Sequence, residues 1–436
     1  MEDLMRTIFE STPERLMKIF NLAERGRASS DAYLHWDKLS YMSPPNSMSH
    51  EEWWFTIKMQ RNLGRKKIPL KDPSGKQFTF ILTDPIPERL HEIDLHIGGG
   101  IQMPSQITNP ETKEQYYVES LIQEAITSSQ LEHATTTRKV AQEMIRAGRK
   151  PSDRSEQMIY NNYRTMQAIS ELKNEPLSKA LIFQIHRLIT EDTLDDSTAA
   201  GRFRRADEKV VVADDTGDIF HVPPSADELE SRMEAICKFG NRETPKEFIH
   251  PAVRAILLHF WLAYDHPFVD GNGRTARALF YWAMLHYGFW VCEYISISTV
   301  ILEGPAKYSR AFLYTETDDN DLTYFLSYHL EIIRRSIVAL KEYIKKQVQK
   351  VALVEKLLKT TGILNHRQRS LISHALKHPS TQYTIGAHRV SHNIAYQTAR
   401  TDLLELEKLQ LLSSKKVKKQ WYFQPTEGLE QRLSAR

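Results

Sequence analysis

Cysteine is nearly absent from this sequence: Cys237 and Cys292 are the whole complement in 436 residues. Two thiols so far apart exclude a disulfide framework and any cysteine-built metal centre. Long apolar runs are absent as well, so nothing reads as a membrane span. Neither sign of charge dominates, with 58 Lys and Arg against 55 Asp and Glu. Charged residues at 26% and hydrophobic residues at 41% are ordinary for a globular protein. No internal repeat or low-complexity segment appears. Residues 1–10 are amphipathic with early acids, unlike a signal peptide. The expectation is a cytoplasmic protein with no membrane partner, holding two or three domains with ample cores.

What is present is concentrated in one run, His266-Pro-Phe-Val-Asp-Gly-Asn-Gly-Arg-Thr-Ala-Arg277. A Gly-rich turn opening a helix makes an anion site, because unpaired N–H groups and the helix dipole both favour negative charge. Arg274 and Arg277, three residues apart, share a helix face and can grip neighbouring phosphate oxygens. Asp270 offers the hard oxygen that Mg²⁺ takes alongside substrate phosphates. His266 has the side chain best suited to act as a base near neutral pH. The flanks read as helices. Residues 250–264 are apolar on more than one side, as in a buried helix, with Pro251 in its first turn. Pro267 ends that helix, and a second helical pattern runs over 274–287 to a stop at Gly288. A Gly-Asn-Gly alone is usually only a turn, but eight compatible residues at one spacing point to phosphate chemistry.

The run resembles the signature of the Fic family, His-x-Phe-x-(Asp/Glu)-Gly-Asn-Gly-Arg-x-x-Arg, at every specified position. The resemblance implies a mainly α fold, a Fic helical core with a small β-hairpin flap. It also implies a protein adenylyltransferase that moves AMP from ATP to a Ser, Thr or Tyr hydroxyl of a target protein, using ATP and Mg²⁺. By the same resemblance His266 would deprotonate the hydroxyl and Asp270 would hold the Mg²⁺ bridging the α- and β-phosphates. Asn272 and the Gly273 N–H would line an anion hole at the α-phosphate, with Phe268 and Gly271 in the same nucleotide site. Arg274 would neutralise the leaving pyrophosphate, and Arg277 would contact the terminal phosphate. Tyr308, in Glu303-Gly-Pro-Ala-Lys-Tyr308, stands where the family often has an aromatic near the adenine.

Upstream, Gln123-Glu-Ala-Ile-Thr-Ser-Ser-Gln-Leu-Glu-His-Ala134 reads as a helix and resembles the family's inhibitory motif, (Ser/Thr)-x-x-x-Glu-(Gly/Asn). Ser128 and Glu132 match, while His133 departs where a small residue is expected. The resemblance implies that Glu132 occupies Arg277, so that ATP binds only unproductively. The same two residues would also serve as an ordinary polar pair on a helix face. Ala200-Gly-Arg-Phe-Arg204 resembles the Gly-x-x-Arg segment ahead of the family's flap. Residues 209–223 read as a β-hairpin about Asp215-Thr-Gly-Asp218. The resemblance implies that Val211, Val212, Ile219 and Phe220 form a flap on which a target segment would add as a strand. A plain surface hairpin fits that pattern equally well.

Charge is unevenly spread. Residues 351–436 hold 14 Lys and Arg against 6 Asp and Glu, a balance of +8, which leaves −5 on the first 350. This basic tail reads as helix, turn, helix and hairpin, and resembles a winged helix-turn-helix with Tyr396, Gln397 and Arg400 facing outward. DNA is then a candidate partner, read in the major groove; such folds also serve dimerisation and target docking. The aromatic N-terminal region, with Trp53-Trp54-Phe55, reads as packing against a neighbour, and residues 98–100 as a glycine hinge. The expected organisation is a Fic-associated region over 1–108, a catalytic domain with its inhibitory helix over 109–350, and the winged helix over 351–436. Two other functions stay open: a hydrolase that removes AMP, with Glu132 orienting water, and a DNA-binding regulator whose core senses nucleotide. The sequence also leaves open whether inhibition acts within one chain or across a homodimer.

Overall fold

A computed structural model describes residues 13–15, 17, 33–45, 48–98, 110–213, 217–360, 364–377, 381–417, 420–426 and 428–434. The features noted at residues 1–10, Gly99, Gly100, Asp215, Thr216, Lys418 and Lys419 lie outside the described residues. The fold is mainly α and divides into two compact units, Met1–Leu340 and Lys341–Arg436. Among the described residues, no helix is long and apolar enough to cross a membrane.

The first unit opens with α1 (Trp36–Leu39), α2 (His50–Asn62), a hairpin of β1 (Lys66–Lys71) and β2 (Gln77–Phe80), and α3 (Ile86–Ile97). Four helices follow: α4 (Pro110–Gln130), α5 (Arg138–Ala147), α6 (Arg154–Leu172) and α7 (Lys179–Thr190). A second antiparallel hairpin, β3 (Val212–Ala213) with β4 (Ile219–His221), precedes α8 (Leu229–Gly240), α9 (Pro251–Asp265) and α10 (Asn272–His286). Then come α11 (Ile297–Leu302), α12 (Pro305–Thr317) and α13 (Thr323–Thr360), of which the first unit holds the part up to Leu340.

The core centres on α9 and α10, which pack along each other and bury side chains on every face. Ile256, Leu258, Phe260 and Trp261 of the first meet Leu279, Phe280 and Trp282 of the second within one cluster. Helices apolar all round need protein on all sides. Here α8 covers α9, while α4, α6 and α7 cover α10. The second core helix begins at Asn272, two residues before its sequence pattern, because Gly271 at φ 80° turns the chain directly into it.

The hairpin β1–β2 was not legible, since Pro69 interrupts one arm and lysines replace the outward alternation. Asp72 Oδ1 closes its turn by accepting the N–H groups of Ser74 and Lys76, each at 2.9 Å. Thr79 exchanges main-chain bonds with Asn320 and Leu322 at 3.0 and 2.8 Å, fastening the hairpin to the loop ahead of α13. Trp53, Trp54 and Phe55 pack with Leu39 and Met48, and Lys58 pairs with Asp318 at 2.6 Å. The N-terminal aromatics are packing residues.

Helix α4 is placed by a buried carboxylate and ended by a backbone motif. Glu124 Oε2 accepts the Tyr281 hydroxyl at 2.9 Å, the Ser296 hydroxyl at 2.8 Å and the Ser298 N–H at 3.1 Å, and Oε1 accepts the Ser298 hydroxyl. At the far end, Ala134 N–H bonds to Ser129 O and His133 N–H to Gln130 O, at 3.0 and 3.1 Å. This is a Schellman ending with His133 at the left-handed position, φ 65°. The small residue expected there is the one that position favours. His133 takes the conformation nonetheless, with its side chain exposed.

The second unit contains α14 (His366–Lys377), α15 (Ile385–His392), α16 (Tyr396–Lys408), the paired strands β5 (Leu412–Val417) and β6 (Gln420–Pro425), and α17 (Leu429–Ser434). Its small core joins Ile372, Leu403, Leu406 and Phe423. Asp402 knits three segments, accepting from Arg367 Nε at 2.7 Å, Asn365 Nδ2 at 2.8 Å and His388 Nε2 at 3.1 Å. Tyr396, Gln397 and Arg400 are exposed on α16.

Tyr281→Phe removes one donor from the buried Glu124 carboxylate and should cost about 1–3 kcal/mol. The urea midpoint should fall, and an unchanged midpoint would show that the cage does not hold α4. His133→Gly relieves a left-handed L-residue and should add about 1 kcal/mol, seen as a raised melting temperature.

Candidate active site

The loop between α9 and α10 is closed by one side chain. Asn272 Oδ1 accepts the Phe268 N–H at 2.9 Å, and Asn272 Nδ2 donates to the Phe268 carbonyl at 2.9 Å. Its carboxamide is thus engaged with the loop, which leaves Asn272 its main-chain N–H and one Nδ2 hydrogen for an anion. Phe268 is fully buried and stacks on His186, ring centres 3.7 Å apart. It seats the loop from within the core. Gly271 is required where it stands: a Cβ there would lie 2.8 Å from Thr190 Cγ2, at a φ that disfavours L-residues.

His266 caps α9 in the left-handed region, φ 45° and ψ 56°, with its N–H on the Leu262 carbonyl at 3.1 Å. Its Nδ1 lies 3.2 Å from the Ala263 carbonyl. A carbonyl can only accept, so Nδ1 carries the proton of the neutral ring and Nε2 keeps its lone pair. Burial pushes this imidazole down to about 4. The ring is thus neutral around pH 7, with a basic nitrogen to offer.

Helix α10 opens with no side-chain cap on its first N–H groups, the condition for an anion site. Two buried arginines rise from its first turns. Arg274 NH1 donates to the Ile189 carbonyl at 3.2 Å, and its buried Nε has no hydrogen-bond partner among the described residues. Arg277 donates from Nε to Ser128 Oγ and from NH2 to Ser128 O and Glu132 Oε1, each at 2.8 Å. Burial opposes ionisation of Glu132, but the charges of Arg277 and Arg274 outweigh it and hold the carboxyl below its ordinary value. The carboxylate also lies over the start of α10: a Cβ on Gly273 would stand 2.2 Å from Glu132 Oε1. Glu132 is thus the anion at this helix N-terminus.

Asp270 is half-exposed beside the arginines. Oδ1 accepts the Gly271 N–H, and Oδ2 lies 3.7 Å from Arg274 NH2 and 3.6 Å from Arg154 NH2. No group of three metal-ligating side chains occurs among the described residues. One open carboxylate fits Mg²⁺, which takes one or two carboxylates together with substrate phosphates.

Two residues with no role in the motif organise the site. His186 donates from Nε2 to the Asp270 carbonyl and accepts the Gly201 N–H at Nδ1, both at 2.9 Å. Burial lowers its imidazole to about 4, so this neutral tautomer is fixed. Arg204, noted only as part of a Gly-x-x-Arg segment, donates to the His266 carbonyl from Nε at 2.9 Å and to the Pro224 carbonyl from NH2. The hairpin pairs Val212 with His221 and Ala213 with Ile219. Val211, Ile219 and Phe220 are exposed, and Val212 is half-buried. Tyr308 turns its hydroxyl to His259 Nε2 at 2.9 Å, and burial raises its phenol to about 12.

Residues 176–284 match the Fic/DOC family, a stretch that contains α7, the hairpin and α8 to most of α10. The chain is 38% identical over 117 residues to the protein adenylyltransferase Fic of Nematostella vectensis, covering 27% of this chain and 25% of that one. Against the Drosophila melanogaster protein of the same name the identity is 33% over 108 residues, 25% and 20% of the two chains. The chain thus spans a quarter or less of the length of the curated relatives it matches. A crystal structure of a Fic family protein from Desulfovibrio desulfuricans shares the fold, with a TM-score of 0.53 at 20% identity, over 79% of this chain and 97% of that one. The loop that carries His266, Asp270, Arg274 and Arg277 lies inside residues 176–284, the stretch that matches the Fic/DOC family.

Proposed function

We propose that this protein transfers AMP from ATP to a Ser, Thr or Tyr hydroxyl of a target protein, and that Glu132 restrains the transfer. The observation that carries the reading is the convergence of a basic His266 Nε2, an uncapped helix N-terminus and two buried arginines on one stapled loop. His266 Nε2 takes the hydroxyl proton as the acceptor oxygen bonds to the α-phosphorus. The bond from that phosphorus to the β-bridging oxygen breaks, and its electron pair leaves with pyrophosphate. The N–H groups opening α10 face the charge that develops, and Arg274 and Arg277 hold the departing phosphates. Such transfers depend on positioning and on preorganised charge. Asp270 would hold Mg²⁺, which when bound neutralises phosphate charge. Glu132 keeps Arg277 from the terminal phosphate and sets a carboxylate where that phosphate would approach.

Labelled ATP tests this directly. Glu132→Gly should label protein roughly ten- to a hundredfold more strongly than the parent, the worth of about one or two charge-assisted hydrogen bonds. Adding His266→Ala should remove about 10²–10⁴-fold of that rate. If Glu132→Gly labels neither itself nor any protein of a lysate, transfer is wrong. If AMP-modified protein is instead stripped by the parent and not by Glu132→Ala, the reaction runs as hydrolysis.

A second reading concerns the unit Lys341–Arg436, whose exposed Tyr396, Gln397 and Arg400 lie on α16 while Lys415 and Lys416 lie exposed on β5. This polar and basic surface supports contact with duplex DNA. The full chain should bind a random-sequence duplex with strong salt dependence, and Arg400→Ala should lower the log–log salt slope by about one. No binding at low salt rules it out.

A further inference from the structure

The flap hairpin and the loop bearing His266 are far apart in sequence, yet they share a set of main-chain carbonyls. Arg204 stands 62 residues before His266 and is buried. Its Nε reaches the His266 carbonyl and its NH2 the Pro224 carbonyl, while its own N–H donates to the Pro267 carbonyl at 2.9 Å. His221, the last residue of β4, places Nε2 2.7 Å from the Tyr264 carbonyl and Nδ1 2.7 Å from Glu316 Oε2 on α12. The outgoing arm of the flap, residues 221–224, is therefore pinned at both ends. Three of the carbonyls that receive these donors, those of Tyr264, His266 and Pro267, lie within four residues around the proposed base.

The other side of the arm is open. Phe220 and Val222 are 49% and 62% exposed, alternating with the inward His221 as strand geometry requires. His266 itself holds a left-handed backbone, a conformation that lasts only where its surroundings over-determine it. Its neighbours supply that constraint, and part of it comes from the flap.

We infer that Arg204 and His221 are positioning residues that couple the flap to the orientation of the His266 imidazole. A displacement of the arm at Pro224 or His221 is passed to the carbonyls on either side of His266. A buried guanidinium that serves both segments cannot release one without losing a charged-donor bond. An acceptor segment seated on the flap thereby bears on the base as well as on its own hydroxyl. This inference rests on His266 being the base of the proposed transfer.

The test uses the full chain in the Glu132→Gly background with labelled ATP. Arg204→Ala and His221→Ala should each slow protein labelling about tenfold, less than the roughly 10²–10⁴-fold that loss of the base itself would cost. Affinity for a non-hydrolysable ATP analogue, by calorimetry, should stay within about twofold. Arg204→Lys, which can reach one carbonyl but not two, should recover part of the rate. The His266 ring resonances in NMR spectra of the nucleotide-free protein should shift in both alanine variants. Unmoved His266 resonances, or labelling at the parent's rate, would overturn the inference. A loss of rate, analogue affinity and melting temperature together would reduce both residues to structural pins. Failure of the Glu132→Gly parent to label would count against the transfer reading alone, because the NMR comparison does not need it.

Discussion

The site depends on one carboxamide. Asn272 grips both hydrogen-bonding groups of the Phe268 peptide, so residues 268–272 form a closed ring rather than a pliable connection. Everything of chemical interest hangs from that ring: His266 just ahead of it, Asp270 within it, and the helix that presents Arg274 and Arg277 just after it. His186 supports it from beneath, stacked on Phe268 and bonded to the Asp270 carbonyl. The scaffold is thus made from neutral hydrogen bonds and ring contact, satisfied internally as buried polar groups require. The charged groups are left over for other partners.

That division explains the place of Glu132. Two guanidinium groups buried on one helix face need an anion, since an uncompensated buried charge costs several kcal/mol. The chain provides one of its own, delivered by the end of α4. The carboxylate compensates the buried guanidinium of Arg277, and under the proposed function it also stands where a phosphate would bind. Without it Arg277 would lose its one carboxylate partner and keep neutral ones, the two oxygens of Ser128 among them. Under the proposed function, access to the site and a settled core are therefore in tension at this contact, and a bound anion would relieve it.

Much of this was readable from residue order, and the boundary is physical. The run 266–277 is local, so spacing alone sets which groups share a turn or a helix face. The two core helices were legible from their apolar character, while Ser128 and Glu132 stood out only by resemblance to the family's inhibitory motif. His186 and Glu124 escaped, and Arg204 was noted without its role, because their meaning lies in partners 84, 157 and 62 residues away. Phe268 and Asn272 were recognised as members of the motif and placed at the nucleotide; their hold on the loop's shape, by burial and pairing, carries no mark in the sequence. The hairpin β1–β2 hid behind a proline and a lysine-rich arm, and its place is set by Thr79 bonding to a loop over 240 residues later.

Glu132 standing 2.8 Å from Arg277 has a consequence for how any binding measurement on this protein reads. Every anion that uses this guanidinium competes with a partner that is tethered, and so always present. The apparent dissociation constant is the intrinsic one divided by the fraction of molecules in which the carboxylate has swung away. That divisor is the same for a good ligand and a poor one. If Glu132 acts as proposed, tethering lowers the affinity of every ligand that needs Arg277 by one common factor and leaves their ranking intact. A constant measured on the intact chain then combines the opened fraction with the quality of the fit.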